Sequence, residues 1–183
     1  MVTLNNQNLQ TSFDRDGYIS ISPLFSVEKV EEIKNELIRY IKEVAPNVPD
    51  HHIFYENKDD KTTIKQLQQM FTYDDYFKKL IENSPIREVA EIVLREKAQP
   101  KNLQFFNKPP GIGKPTPPHQ DGYYFMLKKH NAVTCWLALE KVDEENGCIH
   151  YVKGSHKLEY RPHGRSNVLG FSQGITDFGN NDD

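Results

Sequence analysis

Apolar positions recur every three or four residues in the first half of the chain, which is the period of an amphipathic helix. Ser26 is a suitable N-cap for a helix over 27–44. Ser84 followed by Pro85 predicts the start of a second helix that continues to about residue 96. The apolar stripes of the two helices are Val30, Ile33, Leu37, Ile41 and Val44, and Ile86, Val89, Ala90, Val93 and Leu94.

Weaker patterns lie before and between these helices. Residues 64–71 carry helical spacing, 74–82 predict a further short helix, and the polar stretch 46–61 predicts a loop. Gly17 marks a turn, and the residues at 18–21 predict a short strand. This part of the chain, 1–98, is therefore predicted to be mostly helical.

The pattern changes after Pro100, where aromatic and β-branched residues dominate. Asn146-Gly147 is a strong turn signal, and the tail beyond Gly154 is predicted to be mostly loop. Short strands behind a helical layer predict an α+β fold with a mainly β core, a sandwich or jelly-roll with both helical stripes packed on one face of its sheet. The predicted strands, within the core region 99–183, are 103–107, 119–127, 132–139 and 148–152.

Composition narrows the function classes. The 183 residues, 37% hydrophobic and 27% charged, fit a single folded domain over 1–183 and exclude global disorder. The net charge of −3 and the lack of a basic run argue against a nucleic-acid partner. No apolar stretch approaches the ~18 residues of a membrane span, and the polar N-terminus does not resemble a signal peptide. Two cysteines are too few for a disulfide framework, so we expect a reducing compartment, the cytoplasm.

His119 and Asp121 are the candidate metal ligands. In the predicted strand 119–127, residues i and i+2 face the same side, so the imidazole and the carboxylate aim at one point. Such a pair is two thirds of the 2-His-1-carboxylate triad that holds non-haem Fe(II). With seven histidines in the chain, an H-x-D sequence also arises by chance, so the motif alone leaves both interpretations open. The same alternation places Tyr123 on the face of Asp121.

Several further segments accompany this motif in a fixed order along the chain. They are residues 13–18, 104–111, 118–125, Trp136, 146–148 and 154–157. Together they resemble the phytanoyl-CoA dioxygenase family, over most of the chain and most densely from 104 to 157.

The resemblance implies a double-stranded β-helix, which is a cupin-like jelly-roll, with an Fe(II) centre and 2-oxoglutarate as co-substrate. Members of the family use O2 to hydroxylate an unactivated carbon of a small organic substrate while 2-oxoglutarate is decarboxylated to succinate. His119 and Asp121 match two of the three iron ligands of the family.

The resemblance also implies a co-substrate pocket. Gln104 and Lys108 lie on the strand that lines this pocket in relatives, and Trp136 matches an aromatic position beside it. Lys108 can pair with a carboxylate of 2-oxoglutarate as a point charge, and Trp136 can limit water near the iron. Tyr123 joins this set through its shared face with Asp121. Plainer roles stay open, namely a solvated sheet amide for Gln104, a loop lysine for Lys108 and a core position for Trp136.

The chain also departs from the family pattern. The third iron ligand of the family is a histidine well beyond the turn at 154–157, followed by an arginine that binds 2-oxoglutarate, and Asp183 comes before either is expected. His156 belongs to that turn, and neither His150 nor His163 is expected to replace the missing ligand. We therefore expect a β-helix incomplete at its C-terminus, with weak iron binding and open sheet edges that favour self-association. The alternative is a non-catalytic binding or interaction module with an incomplete iron site.

Overall fold

A computed structural model describes residues 6–127 and 131–179, which combine helices with two small antiparallel sheets. The α-helices are α1 (Asn6–Asp16), α2 (Val27–Arg39), α3 (Met70–Tyr73), α4 (Asp75–Glu82), α5 (Pro85–Leu94) and α6 (Asp121–Phe125). The strands are β1 (Ile53–Tyr55), β2 (Ile64–Leu67), β3 (Phe105–Phe106), β4 (His163–Val168) and β5 (Phe171–Ile175). Among the described residues, no helix is both long enough and apolar enough to cross a bilayer.

The first predicted helix is confirmed. The hydroxyl of Ser26 accepts a hydrogen bond from the first turn of α2, and the helix continues as a π-helical turn at Tyr40–Val44, so that helical structure covers 27–44. Ile33 and Leu37 in the predicted stripe are buried. The capping residue and the spacing of apolar side chains were therefore sufficient signals for this element.

The core lies between α2, β2, α3 and α4. Its buried residues form one cluster, made of Ile33, Leu37, Tyr40, Ala45, Val48, Ile64, Leu67, Met70, Phe77 and Leu80. Side chains from beyond Pro100 cover it in part, namely Leu103, Phe105, Leu137 and Leu139. The stripe of α2 is thus buried against a sheet, although residues 53–67 supply most of that sheet.

The helix predicted over 64–71 is wrong for its first half. Ile64–Leu67 form β2, which lies between β1 and β3 and pairs antiparallel with both. All four residues of β2 are buried. A central strand covered on both faces carries apolar side chains at any spacing, so Ile64 and Leu67, three residues apart, imitate a helical period. The loop predicted over 46–61 likewise contains the pairing strand β1.

The second predicted helix, α5, begins at Pro85 after Ser84, as expected, and buries Val89, Ala90 and Val93. It packs against α1 and α4. The expectation that its stripe covers the β core is therefore wrong, because the contacts of α5 are mainly with these two helices. The sequence pattern does not predict α1, and the strand expected at 18–21 is not formed.

The predicted strands beyond Pro100 are mostly replaced by other structure. Of 103–107 only Phe105–Phe106 pair in a sheet, and 119–127 contains α6. Residues 132–139 and 148–152 form no ladder with any described part of the chain. Side chains typical of strands do not create a strand unless a partner backbone lies beside them.

The tail beyond Gly154, predicted as loop, contains the β4–β5 hairpin. Val168 pairs with Phe171 across Leu169-Gly170, and Gly170 has the positive φ of +83° that such a tight turn requires. Helices together with antiparallel sheets agree with an α+β fold, whereas the double-stranded β-helix and the single domain over 1–183 stay predictions.

Candidate metal centre

His119 and Asp121 lie next to each other, but not on a strand. His119 precedes Gln120, which has an extended backbone, and Asp121 is the first residue of α6. The strand predicted over 119–127 is therefore wrong. An acidic residue in the first helical turn is favoured by the helix dipole, and the short helix ends at Met126 in a left-handed conformation. His119 Nε2 lies 3.2 Å from Asp121 Oδ1, so the two side chains converge where the extended Gln120 leads into α6, and not through strand alternation.

The His119 ring is held by the backbone before it. Its Nδ1 lies 2.8 Å from the carbonyl oxygen of Pro117, which can only accept, so Nδ1 carries a proton and donates it. Nε2 is then the nitrogen that faces Asp121. Burial lowers the pKa of His119, but the hydrogen bonds to Asp121 and to Pro117 O outweigh it, and the net pKa is raised. Phe171 and Tyr124 border the ring, with centroids 5.0 and 6.0 Å away.

The Asp121 carboxylate is held from two sides. Oδ1 faces His119, and Oδ2 accepts a short hydrogen bond from the Thr134 hydroxyl. The hydrogen bond with His119 lowers the pKa of Asp121, burial opposes this, and the bond from Thr134 lowers the pKa further, so the net shift is downward. The carboxylate is therefore ionised at neutral pH and available as an anionic ligand.

The pair fits two positions of a divalent metal site. Donors about 2.1 Å from a metal and at right angles to each other lie about 3 Å apart, close to the separation of His119 Nε2 and Asp121 Oδ1. A hydrogen bond from the distal ring nitrogen to a carbonyl is also how metal-binding histidines are commonly oriented. Within residues 6–127 and 131–179, no group of three His, Cys, Asp or Glu side chains is arranged to hold a metal.

The other candidate histidines are engaged elsewhere. His150 Nε2 lies 3.4 Å from Cys148 Sγ, and His156 Nε2 lies 3.1 Å from Asp14 O. His156 lies in the short 3-10 turn Ser155–Lys157, the turn to which the sequence assigned it. His163 lies close to the pair, where its Nε2 accepts a hydrogen bond of 3.3 Å from the backbone N–H of Gln120.

Tyr123 does not share a face with His119 as strand alternation predicted. In α6 successive residues are turned by about 100°. As a result Tyr124 borders His119, while Tyr123 stacks on His163 with a centroid separation of 4.0 Å.

The remaining predicted pocket residues lie apart from the pair. Gln104 is exposed and accepts a hydrogen bond of 2.8 Å from Gln66, and Lys108 Nζ donates to Gly147 O at 3.2 Å. Trp136 is 48% exposed in a segment without regular secondary structure, so a core position is wrong for it. In the described part of the chain, hydrogen bonds and ring contacts join none of these three residues to His119 or Asp121.

Sequence reasoning did not place three side chains beside the pair, although it considered His163 as a ligand. Thr134, His163 and Phe171 come from segments 13, 42 and 50 residues beyond Asp121, so no local spacing signals them. Leu169-Gly170 is not one of the dipeptides that mark a two-residue hairpin, so the strand that carries Phe171 had no clear signal. Phe171 links His119 to Phe106 of β3, whose ring lies 5.8 Å away.

A pair of this kind, one imidazole and one carboxylate held by backbone and hydroxyl partners, defines a candidate two-donor centre of a metal-dependent protein. The model of the family described as Phytanoyl-CoA dioxygenase (PhyH) matches residues 13–172. The chain belongs to the phytanoyl-CoA dioxygenase family.

Curated relatives agree with this membership. "Phytanoyl-CoA dioxygenase, peroxisomal" of Bos taurus is 28% identical over 82% of this chain and 48% of its own length. "Phytanoyl-CoA dioxygenase 1" of Oryza sativa subsp. japonica is 26% identical over 78% of this chain and 52% of its own length. The chain thus spans about half the length of these two relatives. No solved structure gives a significant match.

Proposed function

We propose that the chain supplies the iron-binding pair of an Fe(II)- and 2-oxoglutarate-dependent dioxygenase that hydroxylates a small organic substrate. One observation carries the proposal: His119, fixed by its bond to Pro117 O, presents Nε2 beside the ionised carboxylate of Asp121. Family membership supports the same reaction class. When bound, Fe(II) supplies the activation of O2 and the coupled oxidation of 2-oxoglutarate and substrate.

The chain's own residues orient and shield this centre. Thr134 holds Asp121 Oδ2, which leaves Oδ1 directed toward His119. Phe171 and Tyr124 border the imidazole with their aromatic rings and cover part of its surface. Gln104, Lys108, Tyr123 and Trp136 stay proposed contacts of 2-oxoglutarate.

Metal titration tests the proposal. Co(II) is the probe, because its visible absorption reports nitrogen and oxygen ligation without oxidation in air. We expect His119→Ala and Asp121→Ala each to weaken Co(II) binding about tenfold or more, since each removes one of two protein donors. His51→Ala is the matched control, because His51 is an exposed histidine on the 3-10 turn Asp50–His52. Equal Co(II) affinity in the wild type and both site variants would exclude this pair as the metal site.

A second candidate function is a binding or interaction module without catalysis. The observation that favours it is the presence of two, not three, suitable donors in the described ranges. Succinate formation from 2-oxoglutarate with Fe(II) and O2 separates the two functions. We expect weak Fe(II) binding and no substrate-coupled decarboxylation from the 183-residue chain alone. A form that also supplies a third donor histidine and an arginine should bind Fe(II) more tightly and carry out substrate-coupled decarboxylation, and failure to do so would favour the binding module.

We also propose that the chain self-associates and that its compartment is the cytoplasm. The open edges of the short sheets favour self-association, which sedimentation velocity over a range of concentrations measures directly. The sequence favours the cytoplasm, whereas the bovine relative is named peroxisomal. A fluorescent fusion at either end of the chain distinguishes the two compartments.

A further inference from the structure

The β4–β5 hairpin holds the segment that carries the candidate ligands. Ile175 N donates to Pro118 O at 2.8 Å, directly before His119. The Tyr124 hydroxyl donates a short hydrogen bond to Gln173 O, and Gln173 N donates back to the same hydroxyl at 3.2 Å. The hairpin therefore contacts the backbone before the pair and the helix after it.

His163 contacts the segment between the two ligands. Its Nδ1 lies 2.8 Å from Arg161 O, so Nδ1 carries the proton and Nε2 has a free lone pair. That lone pair accepts the backbone N–H of Gln120 at 3.3 Å. Gln120 N belongs to the peptide that follows His119, and Asp121 comes one residue later. The orientation of this peptide therefore sets how the two candidate ligands face each other.

Two further contacts restrict the movement of this region. Tyr123 stacks on the His163 ring, with centroids 4.0 Å apart and planes inclined by 14°. The side-chain oxygen of Gln120 accepts from Arg161 N at 2.8 Å. The His163 ring thus contacts both the segment before β4 and α6, and these contacts restrict its orientation relative to the peptide that it binds.

We propose that His163 is a positioning residue for the candidate metal centre: its neutral Nε2, by accepting the Gln120 N–H, fixes the peptide that sets the separation of His119 and Asp121. His163 is not assigned as a metal ligand, because its Nε2 is already engaged. The inference rests on the proposed function, since it concerns the same pair. Partners of this kind typically change metal affinity about 10- to 100-fold when they are removed.

Two variants test the hydrogen-bond acceptor and the aromatic ring of His163 separately. His163→Phe retains an aromatic ring for Tyr123 but has no acceptor for Gln120. His163→Gln loses the ring but carries an oxygen near the position of Nε2. His150→Phe, at an exposed histidine, is the control for the loss of a histidine as such.

The first measurement uses the metal-free 183-residue chain. Hydrogen exchange of the Gln120 amide, followed by NMR, reports the hydrogen bond itself. We expect His163→Phe to speed this exchange about tenfold or more, and His163→Gln and His150→Phe to leave it close to the wild-type rate. An unchanged rate in His163→Phe would overturn the inference. Exchange of the Gln120 amide in His163→Gln about tenfold or more faster than in the wild type would also overturn it. This result can be interpreted even if His163→Phe does not fold.

The second measurement is Co(II) affinity, with His119→Ala beside it. We expect about a tenfold or greater loss in His163→Phe and recovery in His163→Gln. If His119→Ala loses binding while His163→Phe binds normally, the positioning role fails and the proposed function stands. If His119→Ala binds as tightly as the wild type, the proposed function fails and the positioning role fails with it.

Discussion

At the scale of single residues, two histidines use the same local device. His119 follows Pro118 and His163 follows Pro162, and each ring donates from Nδ1 to the carbonyl two residues earlier, at Pro117 and at Arg161. Proline fixes its φ and has no N–H, so the carbonyl before it keeps a constant direction toward the following side chain. Both rings are thereby held with Nε2 directed away from that carbonyl, toward the Asp121 carboxylate in His119 and toward the backbone N–H of Gln120 in His163.

Variants of Thr134 test how the carboxylate of Asp121 is oriented. We expect Thr134→Val to weaken Co(II) binding about tenfold, because Asp121 Oδ2 loses the hydroxyl donor of Thr134 and the carboxylate gains freedom to rotate. Thr134→Ser keeps the hydroxyl and should bind Co(II) close to the wild-type affinity. Loss of affinity in both variants would show that the threonine methyl group, not the hydrogen bond, orients Asp121.

At the scale of elements, helices were predictable where a start signal and a regular stripe agreed, with the Ser26 cap in α2 and Pro85 in the first turn of α5. Strands were not, because pairing depends on partners that are distant in the sequence. β2 pairs with Phe105–Phe106 about 40 residues away, and all of its side chains are buried, so it lacks the alternation that marks a strand. In the candidate site, the convergence of His119 and Asp121 followed from their short spacing, whereas Thr134 depends on tertiary structure.

β2 also contains a buried charge that alternation arguments do not anticipate. Lys65 is 1% exposed, and its Nζ lies 2.9 Å from Glu56 Oε1, which is also buried. The approach lies outside hydrogen-bond geometry, so neither atom has a hydrogen-bond partner among the described residues. Their mutual attraction is therefore the main compensation for their loss of hydration.

The Lys65–Glu56 ion pair is expected to contribute to the stability of the fold around the central strand β2. We expect Lys65→Met to lower the free energy of unfolding by about 3–5 kcal/mol, because Glu56 is left buried without a counter-charge. The double variant Lys65→Met/Glu56→Gln should recover most of this loss. Urea unfolding measures the free energy of unfolding of each variant, and Lys58→Met, at an exposed lysine, is the control. A double variant as unstable as the single one would contradict the ion-pair explanation.

At the scale of the whole molecule, the end of α1 contacts a turn far along the chain. Gly154 N donates to Asp16 O at 2.8 Å, and Lys153 Nζ lies 3.3 Å from the Asp16 carboxylate. Tyr18 stacks on Tyr151 at 5.3 Å. Gly17, with a φ of +82°, lets the chain turn sharply beside His156, where a side chain would collide with the imidazole. Two segments of the family resemblance, 13–18 and 154–157, are thus in direct contact.

This contact has a pH dependence of known sign. The hydrogen bond from Arg15 lowers the pKa of Asp16, burial opposes it, and Lys153 lowers it further, so the pKa falls from the ordinary 3.8 to about 2. A carboxyl whose pKa is lower in the folded state stabilises the fold above its unfolded pKa, and this contribution is lost as the pH falls from about 4 toward 2. Stability attributable to Asp16 is therefore complete at neutral pH.

We expect Asp16→Asn to have a lower melting temperature than the wild type at pH 7, because the amide cannot pair with Arg15 and Lys153. The difference should shrink as the pH is lowered from 4 toward 2, where the wild-type carboxyl becomes protonated and loses the same interactions. Thermal unfolding of both chains at closely spaced pH values measures this difference. Asp59→Asn, at an exposed aspartate, should show no such trend. A melting-temperature difference between Asp16→Asn and wild type that stays constant from pH 7 to pH 2 would mean that the charge of Asp16 does not attach α1 to the turn.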